Sequence, residues 1–410
     1  MSSGFNKATG QLRIIVLGNI VRSPLGGLAW HHLQYVMGLD RLGHDVYFLE
    51  DSGDEPWACY DPTRHVTGAD ATYGLQFAWR TFKRVGLDNR WAYHDALGSR
   101  WFGPCAERIH SLCASADLVI NLSGSNQLRP WVMEIPLRIY VDHDPVFTQV
   151  RHLNDPSRRQ RALQHTSFFS FGENLGYGTH AIPDDGFAWQ PTRQPVVLDA
   201  WPVIPGPMDG RFTTVMSWDM SMKRYLRQYQ GQFYGDKSDS FEPYFDLPRR
   251  SAVQYEIALG GRRAPRDRFR SKGWMIQDPL EVTRDPWVYQ CYIQRSKAEF
   301  SVAKHGYVVG RTGWFSERSA AYLASGRPVV VQDTGFADSL PSGAGVIPFS
   351  TLEQAITGIE EINNRYKFHC QAAREIAEEY FDARKVLPRL IERAMDDTPA
   401  PTTPSGQGSV

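Results

Sequence analysis

The stretch from Leu12 to Asp51 constrains the fold more than any other part of the chain. It opens with a short apolar run, LRIIVLGNI (12–20), and passes through the turn-forming VRSPLGG. It then places Leu28, Leu33, Val36, Met37 and Leu39 at helical spacing ahead of Gly43 and a second run, DVYFLED (45–51). An apolar run too short for a helix reads as a buried strand, and the periodic segment as a helix that stops at a glycine. Strand, glycine loop, helix and strand in succession form a right-handed βαβ unit, which requires a parallel sheet.

The pattern recurs along the chain. ADLVINLSG (116–124), LRIYVDHDP (137–145) and TSFFSFGEN (166–174) read as strands that end in polar, turn-forming residues. Open α/β sheets gather their ligands at such ends. Between Gln190 and Pro207 lie five prolines and no helical pattern, as expected of a linker. A second series then begins, with strands at FTTVMSW (212–218), AEFSVA (298–303) and RPVVVQD (327–333), and a helix at SERSAAYLASG (316–326). The expected organisation is α/β, with a Rossmann-like domain over 1–190, a linker over 191–207 and a second Rossmann-like domain over 208–370. A pair of amphipathic helices, interrupted near Pro388, follows over 371–396. The tail, 397–410, is rich in Pro, Gly, Ser and Thr, a composition that favours disorder.

Composition narrows the function. The 45 Lys and Arg balance 45 Asp and Glu, which argues against a generic polyanion binder, so no nucleic-acid partner is expected. No run approaches the ~18 apolar residues of a membrane span. Five scattered cysteines without a CxxC pair read as reduced thiols of a cytoplasmic protein. The neutral total hides one basic segment, 249–272, which carries a net charge of +6.

Two constellations are candidates for chemistry. In the first, Gly26 and Gly27 sit between a strand and a helix, where bare backbone and a helix N-terminus can approach an anion. His31, His32, Asp142 and Asp144 lie at the same side of the expected sheet and are the candidates for a general base. The two histidines point about 100° apart on their helix, so only one can face a cleft. Trp30, beside the glycine loop, is the candidate for stacking on an acceptor. In the second, Arg311, Gly313, Ser316, Glu317, Arg318 and Ser319 combine free N–H groups, hydroxyls and arginines at one helix start, a set suited to a diphosphate. Asp333, Thr334 and Gly335 follow the next strand and are placed for sugar or ribose hydroxyls. Lys237 joins Arg311 and Arg318 as a cation that could meet a leaving diphosphate. The loop lacks the GxGxxG of a dinucleotide cofactor, and no cofactor or metal is called for.

These motifs resemble those of the GT-B fold glycosyltransferases. Gly26 to Val46 is similar to that family's "GG…H…L…GHxV" opening, and Leu323 to Gly335 to its "A.G.PVV..D.GG" segment. The resemblance implies two Rossmann-like domains, a C-terminal helix crossing back to the first, and transfer of a sugar from a nucleoside-diphosphate sugar to a small-molecule hydroxyl, a natural product or a saccharide. Many retaining members carry a ribose-binding glutamate where this chain has Ala321, leaving Glu317 or Asp333 to take that role; Phe336 replaces the last glycine of "D.GG". The spelling Asp142-His143-Asp144 also matches the DxD of GT-A enzymes, which helps hold a metal-bound diphosphate. Two other functions are compatible with these residues, a GT-B sugar-nucleotide epimerase and a non-catalytic nucleotide-sugar or saccharide binder.

Overall fold

The computed structural model describes residues 10–175, 182–219 and 227–396; the tail from 397 onward lies outside them. Within the described residues the chain forms two principal sheets. The first comprises β1 (Arg13–Leu17), β2 (Asp45–Asp51), β5 (Trp91–Asp95), β6 (Arg100–Phe102), β7 (Leu118–Leu122), β8 (Leu137–Asp142), β9 (Ser167–Ser170) and β10 (Trp189–Pro191), in the order β10-β9-β8-β7-β1-β2-β5-β6. Only the β5–β6 pairing is antiparallel. β3 (Cys59–Asp61) and β4 (Val66–Gly68) form a separate hairpin.

The second sheet comprises β11 (Phe212–Ser217), β14 (Tyr255–Gly260), β15 (Met275–Gln277), β16 (Ala298–Ser301), β17 (Val329–Gln332) and β18 (Val346–Phe349), in the order β15-β14-β11-β16-β17-β18 and parallel throughout. A small ribbon, β12 (Gln228–Tyr229) with β13 (Gln232–Phe233), stands apart from it. The central strands of both sheets are buried on both faces, as parallel strands covered by crossover helices must be.

Helix α1 (Gly26–Arg41) follows β1 and ends where Gly43, at φ +89°, lets the His44 N–H reach the Leu39 carbonyl. Four further helices frame the site: α2 (Phe147–Asn154), α3 (Pro286–Arg295), α4 (Glu317–Ala324) and α5 (Ala383–Asp396). The last lies against α1, where a Cβ on Gly38 would sit within 3.0 Å of both Leu387 and Ala383. The break before α5 falls at Phe381–Asp382, not at the expected Pro388, which sits inside α5. Asp382 explains the position: its carboxylate accepts the Arg384 N–H at 2.9 Å and starts a new helix there.

Candidate functional site

The loop between β1 and α1 is shaped by a buried carboxylate. Glu50, at the end of β2, accepts the N–H groups of Ile20, Val21 and Arg22 at 2.6, 2.7 and 2.7 Å and pairs with the Arg22 guanidinium at 3.1 Å. This fixes where α1 begins and therefore where its histidines point. His32 is spent on structure. Its Nε2 accepts the Asn19 N–H at 3.0 Å and its Nδ1–H donates to the Leu28 carbonyl at 2.7 Å, so it has no nitrogen left for a reaction.

His31 lines the cleft between the two halves, next to Gly27, Gln34 and Glu317. Its Nε2 lies 3.1 Å from Nδ1 of His143, whose Nε2 is hydrogen-bonded to the Ser123 hydroxyl. Nδ1 of His31 has no hydrogen bond among the described residues. Burial, reinforced by the mutual proximity of the rings, lowers His31 to about 3; burial lowers His143 to about 4. Both are therefore neutral at physiological pH, a state in which His31 can accept a proton at Nδ1 while Nε2–H is held by His143. Ser123 adopts φ +61° and Val146 φ +66° on either side of this pair. For a β-branched residue that conformation is strained, and such strain collects at functional sites.

Neither aspartate is placed as a base, which corrects the sequence expectation. Asp142 is buried, and its carboxylate accepts from the Thr148 hydroxyl at 2.7 Å, the Ser170 hydroxyl at 2.8 Å and the Asp144 N–H at 2.9 Å. It organises the turn into α2. Asp144 instead joins the halves: it pairs with Lys304 at 2.7 Å and Arg151 at 3.2 Å and accepts from the Tyr307 hydroxyl. Although burial opposes ionisation, those cations hold its carboxyl well below the usual range, and both of its oxygens are occupied, so neither is open to a substrate proton. With these bonds made, the pair has no DxD-like arrangement open to a metal. Among the described residues no three His, Cys, Asp or Glu side chains converge as metal ligands.

In the second half, Arg318 is not a free phosphate ligand. It is 8 % exposed, and its guanidinium donates to Glu299 at 2.6 Å, the Ser301 hydroxyl at 2.6 Å and the Val215 carbonyl at 2.8 Å. Ser316 caps α4 by accepting the Arg318 N–H, and Ser319 is buried behind it. Glu317 remains exposed at the start of α4. Lys237 differs from all of these. It is 8 % exposed, yet its ammonium makes no hydrogen bond or ion pair among the described residues. Burial and then the nearby Arg318 push its ammonium well below the ordinary lysine range, with Glu299 pulling the other way. The turn carrying it is pinned beside Lys304 by the His305 and Gly306 N–H groups, which donate to the Asp236 and Gly235 carbonyls at 3.1 and 3.0 Å.

Several expected ligand contacts are contacts between the halves. A Cβ on Gly26 would overlap the Asp285 carbonyl, and one on Gly27 would come within 3.1 Å of the Tyr289 ring. Both glycines are thus required by the packing of α1 on α3. Trp30 is 3 % exposed; its indole N–H donates to the Pro286 carbonyl at 2.6 Å and its ring lies 5.0 Å from that of Trp201. It seals the interface and offers no face to an acceptor. Gly313 and Gly335 lie against Asn174 of the first half, whose amide donates to the Arg311 and Gly335 carbonyls at 2.8 and 3.3 Å. The Gly313 N–H donates to the Thr334 carbonyl at 2.8 Å. Arg311 turns outward to Asp338 at 3.0 Å, and Asp333 accepts the Gly335 N–H at 2.9 Å.

A cavity of about 1120 Å³ is bounded by Leu25, by Tyr60 and His65 of the β3–β4 hairpin, and by the carboxyl ends of β11, β14 and β15 in the second half. It sits where α/β sheets bind ligands, and its size is that of a cofactor or substrate site. Val215 lines it and also accepts from Arg318, which in turn lines the narrow cleft at His31. Cavity and histidine pair are therefore neighbours across one layer of side chains. Sequence reasoning missed His143, although it lies between the two aspartates chosen, along with Ser123, Lys304, Tyr307 and the hairpin.

Comparison with known proteins places this architecture. No family model matches the chain. Phosphoribosylamine–glycine ligase of Halalkalibacterium halodurans is 28 % identical over 120 residues, 29 % of this chain; the chain spans about a quarter (27 %) of that relative's length. Among solved structures, the alpha-glucosyltransferase AGT in complex with UDP matches with a TM-score of 0.56 at 11 % identity, over 94 % of this chain and 100 % of that one. The same protein in complex with UDP-glucose and DNA containing an abasic site matches with a TM-score of 0.56 at 10 % identity, over 94 % and 100 %. The Anabaena protein HepE in complex with UDP-glucose matches with a TM-score of 0.55 at 12 % identity, over 93 % and 99 %. At these identities the likeness is one of fold. The chain has the two-domain GT-B architecture of these structures.

Proposed function

We propose that the protein is a glycosyltransferase that moves a sugar from a nucleoside-diphosphate sugar to the hydroxyl of a small-molecule acceptor. The observation that carries this reading is Lys237, a largely buried lysine whose ammonium makes no hydrogen bond or ion pair among the described residues, close to Arg318 at the edge of the His31 cleft. An unpaired buried charge is costly, so a site that keeps one is built to receive the opposite charge. A diphosphate seated at Lys237 would place its nucleoside in the cavity and its sugar toward His31. In this reading Lys237 offsets the charge of the leaving diphosphate without a metal, and His31, neutral and backed by His143, takes the acceptor proton at Nδ1.

The cleft at His31 is too narrow for a sugar as it stands, with about 20 Å³ free against the several hundred of a ligand site. Substrate loading therefore requires the halves to part about the Asp144–Lys304 and Asn174–Arg311 contacts. The neutral charge balance supports an uncharged or small acceptor over nucleic acid, though AGT was solved with DNA.

The test is release of nucleoside diphosphate from a panel of nucleotide sugars, with and without hydroxyl acceptors and with and without a chelator. Acceptor-dependent release that survives chelation supports the reading. Epimerised sugar without an acceptor, or binding with no turnover across the panel, contradicts it.

A further inference from the structure

The cavity wall carries two opposite charges that do not neutralise each other. Arg262 follows β14 and Asp278 follows β15, neighbouring parallel strands whose register pairs Ala258 with Gln277, so both residues stand at the same end of the sheet. Arg262 makes no hydrogen bond or ion pair among the described residues. Asp278 spends one oxygen on the Leu280 N–H at 2.9 Å, and its other oxygen has no partner there. The two other cavity arginines are committed: Arg266 donates to the Leu259 carbonyl at 2.9 Å and Arg270 pairs with Asp267 at 3.0 Å. From the opposite wall the hairpin contributes Tyr60. After burial, the charges that most affect its phenol include Asp278, which raises it, and Arg262, which lowers it. Phenol, carboxylate and guanidinium thus line the same cavity. Apolar Leu25, Ile276 and Leu280 supply surfaces beside them for the faces of a ring.

We infer that this cavity selects a guanine base, so that the donor is a guanosine-diphosphate sugar. The inference rests on the nucleotide-sugar reading above. A guanidinium supplies paired donors and a carboxylate paired acceptors. Guanine presents the complement, acceptors at O6 and N7 and donors at N1–H and N2–H₂. Uracil offers one ring N–H flanked by two carbonyl oxygens, which a carboxylate repels. Adenine offers a single exocyclic donor beside ring acceptors. Cytosine satisfies the arginine but gives the carboxylate only its exocyclic amine. A good bidentate contact discriminates against the wrong base by about tenfold or more.

The test is isothermal titration of the full chain with GDP, IDP, UDP, ADP and CDP, repeated with Asp278→Asn and Arg262→Ala. Asparagine still caps the following helix, and Arg262 is exposed and unpaired, so both variants fold. The expected result is GDP binding at least about tenfold tighter than UDP, ADP or CDP, with IDP weaker than GDP for want of its amine. Each variant should lose about tenfold for GDP and little for UDP. Equal or tighter binding of UDP, ADP or CDP, or GDP affinity unchanged in Asp278→Asn, overturns the base assignment and leaves the nucleotide-sugar reading standing. Failure of every nucleoside diphosphate to bind overturns both.

Discussion

Nε2 of His31 lies 3.1 Å from Nδ1 of His143, which joins the second turn of α1 to the loop after β8 and leaves Nδ1 of His31 as the one nitrogen of the pair without a protein partner among the described residues. If that nitrogen takes the acceptor proton, it acts in its neutral form, and burial holds His31 near about 3. The rate should then stay level from pH 8 to pH 5 rather than fall through the ordinary histidine range near 6.5. His31→Gln should lower kcat by about 10²- to 10⁴-fold. His143→Ala, which opens the pair to water and removes the second ring, should move the acid limb upward toward 6.5. A profile unchanged in His143→Ala would contradict the positioning role.

Stability should show the same histidines with a definite sign. His31 and His32 are lowered to about 3, and His143 and His165 to about 4, all chiefly by burial. Below the unfolded value near 6.5 the unfolded chain binds protons that the folded chain does not, so stability is full above that pH and falls toward the folded values. The slope is about 1.4 kcal/mol per pH unit for each group. Denaturant unfolding at pH 7.5 and pH 5 should show the loss; equal stability at both would contradict the burial of these rings.

Arg318 and Lys237, both buried near the cleft, should respond oppositely to truncation. Arg318→Ala leaves Glu299, which is fully buried, without its guanidinium partner, and should cost about 3–5 kcal/mol. Lys237→Ala removes a buried charge that has no partner, so the melting temperature should hold or rise. A scan of both variants by thermal unfolding separates the scaffold cation from the ligand cation; a large loss in Lys237→Ala would show that it, too, is structural.

Trp30 is assigned to the interface between the halves. Trp30→Phe keeps most of the ring but removes the indole N–H that donates to the Pro286 carbonyl, a hydrogen bond worth about 0.5–1.5 kcal/mol. The expected outcome is lower stability with KM for the acceptor unchanged. A raised KM at unchanged stability would return Trp30 to the acceptor site.

How far the site was legible follows from where each residue finds its partners. The β1 strand, its loop and α1 could be read because their determinants are local: apolar spacing, two glycines, and Gly43 at the helix end. The glycines were legible as close-approach positions, but what approaches them, the Asp285 carbonyl and Tyr289, lies over 250 residues away. Trp30 fails for the same reason, since Trp201 and Pro286 are remote in sequence. β14 escaped notice because Glu256 interrupts its apolar run; burial there is compensated by Arg211. The +6 segment over 249–272 resolved into surface ion pairs with Glu242, Asp246, Asp267, Asp219 and Glu353, plus Arg266, which donates to the Leu259 carbonyl, and Arg262, which makes no ion pair or hydrogen bond among the described residues. Charge counts along the chain cannot separate those two fates.

The central claim is that Lys237 waits for a diphosphate, and its most direct test is titration of nucleoside diphosphates into the wild-type chain and Lys237→Ala, across pH. A lysine held below its ordinary range must take up a proton to meet an anion. Wild-type affinity should therefore fall as pH rises from neutral into the alkaline range, and Lys237→Ala should bind at least about tenfold more weakly at neutral pH with that dependence lost. Equal affinity in the two proteins, or no binding of any nucleoside diphosphate by the wild type, would contradict the account.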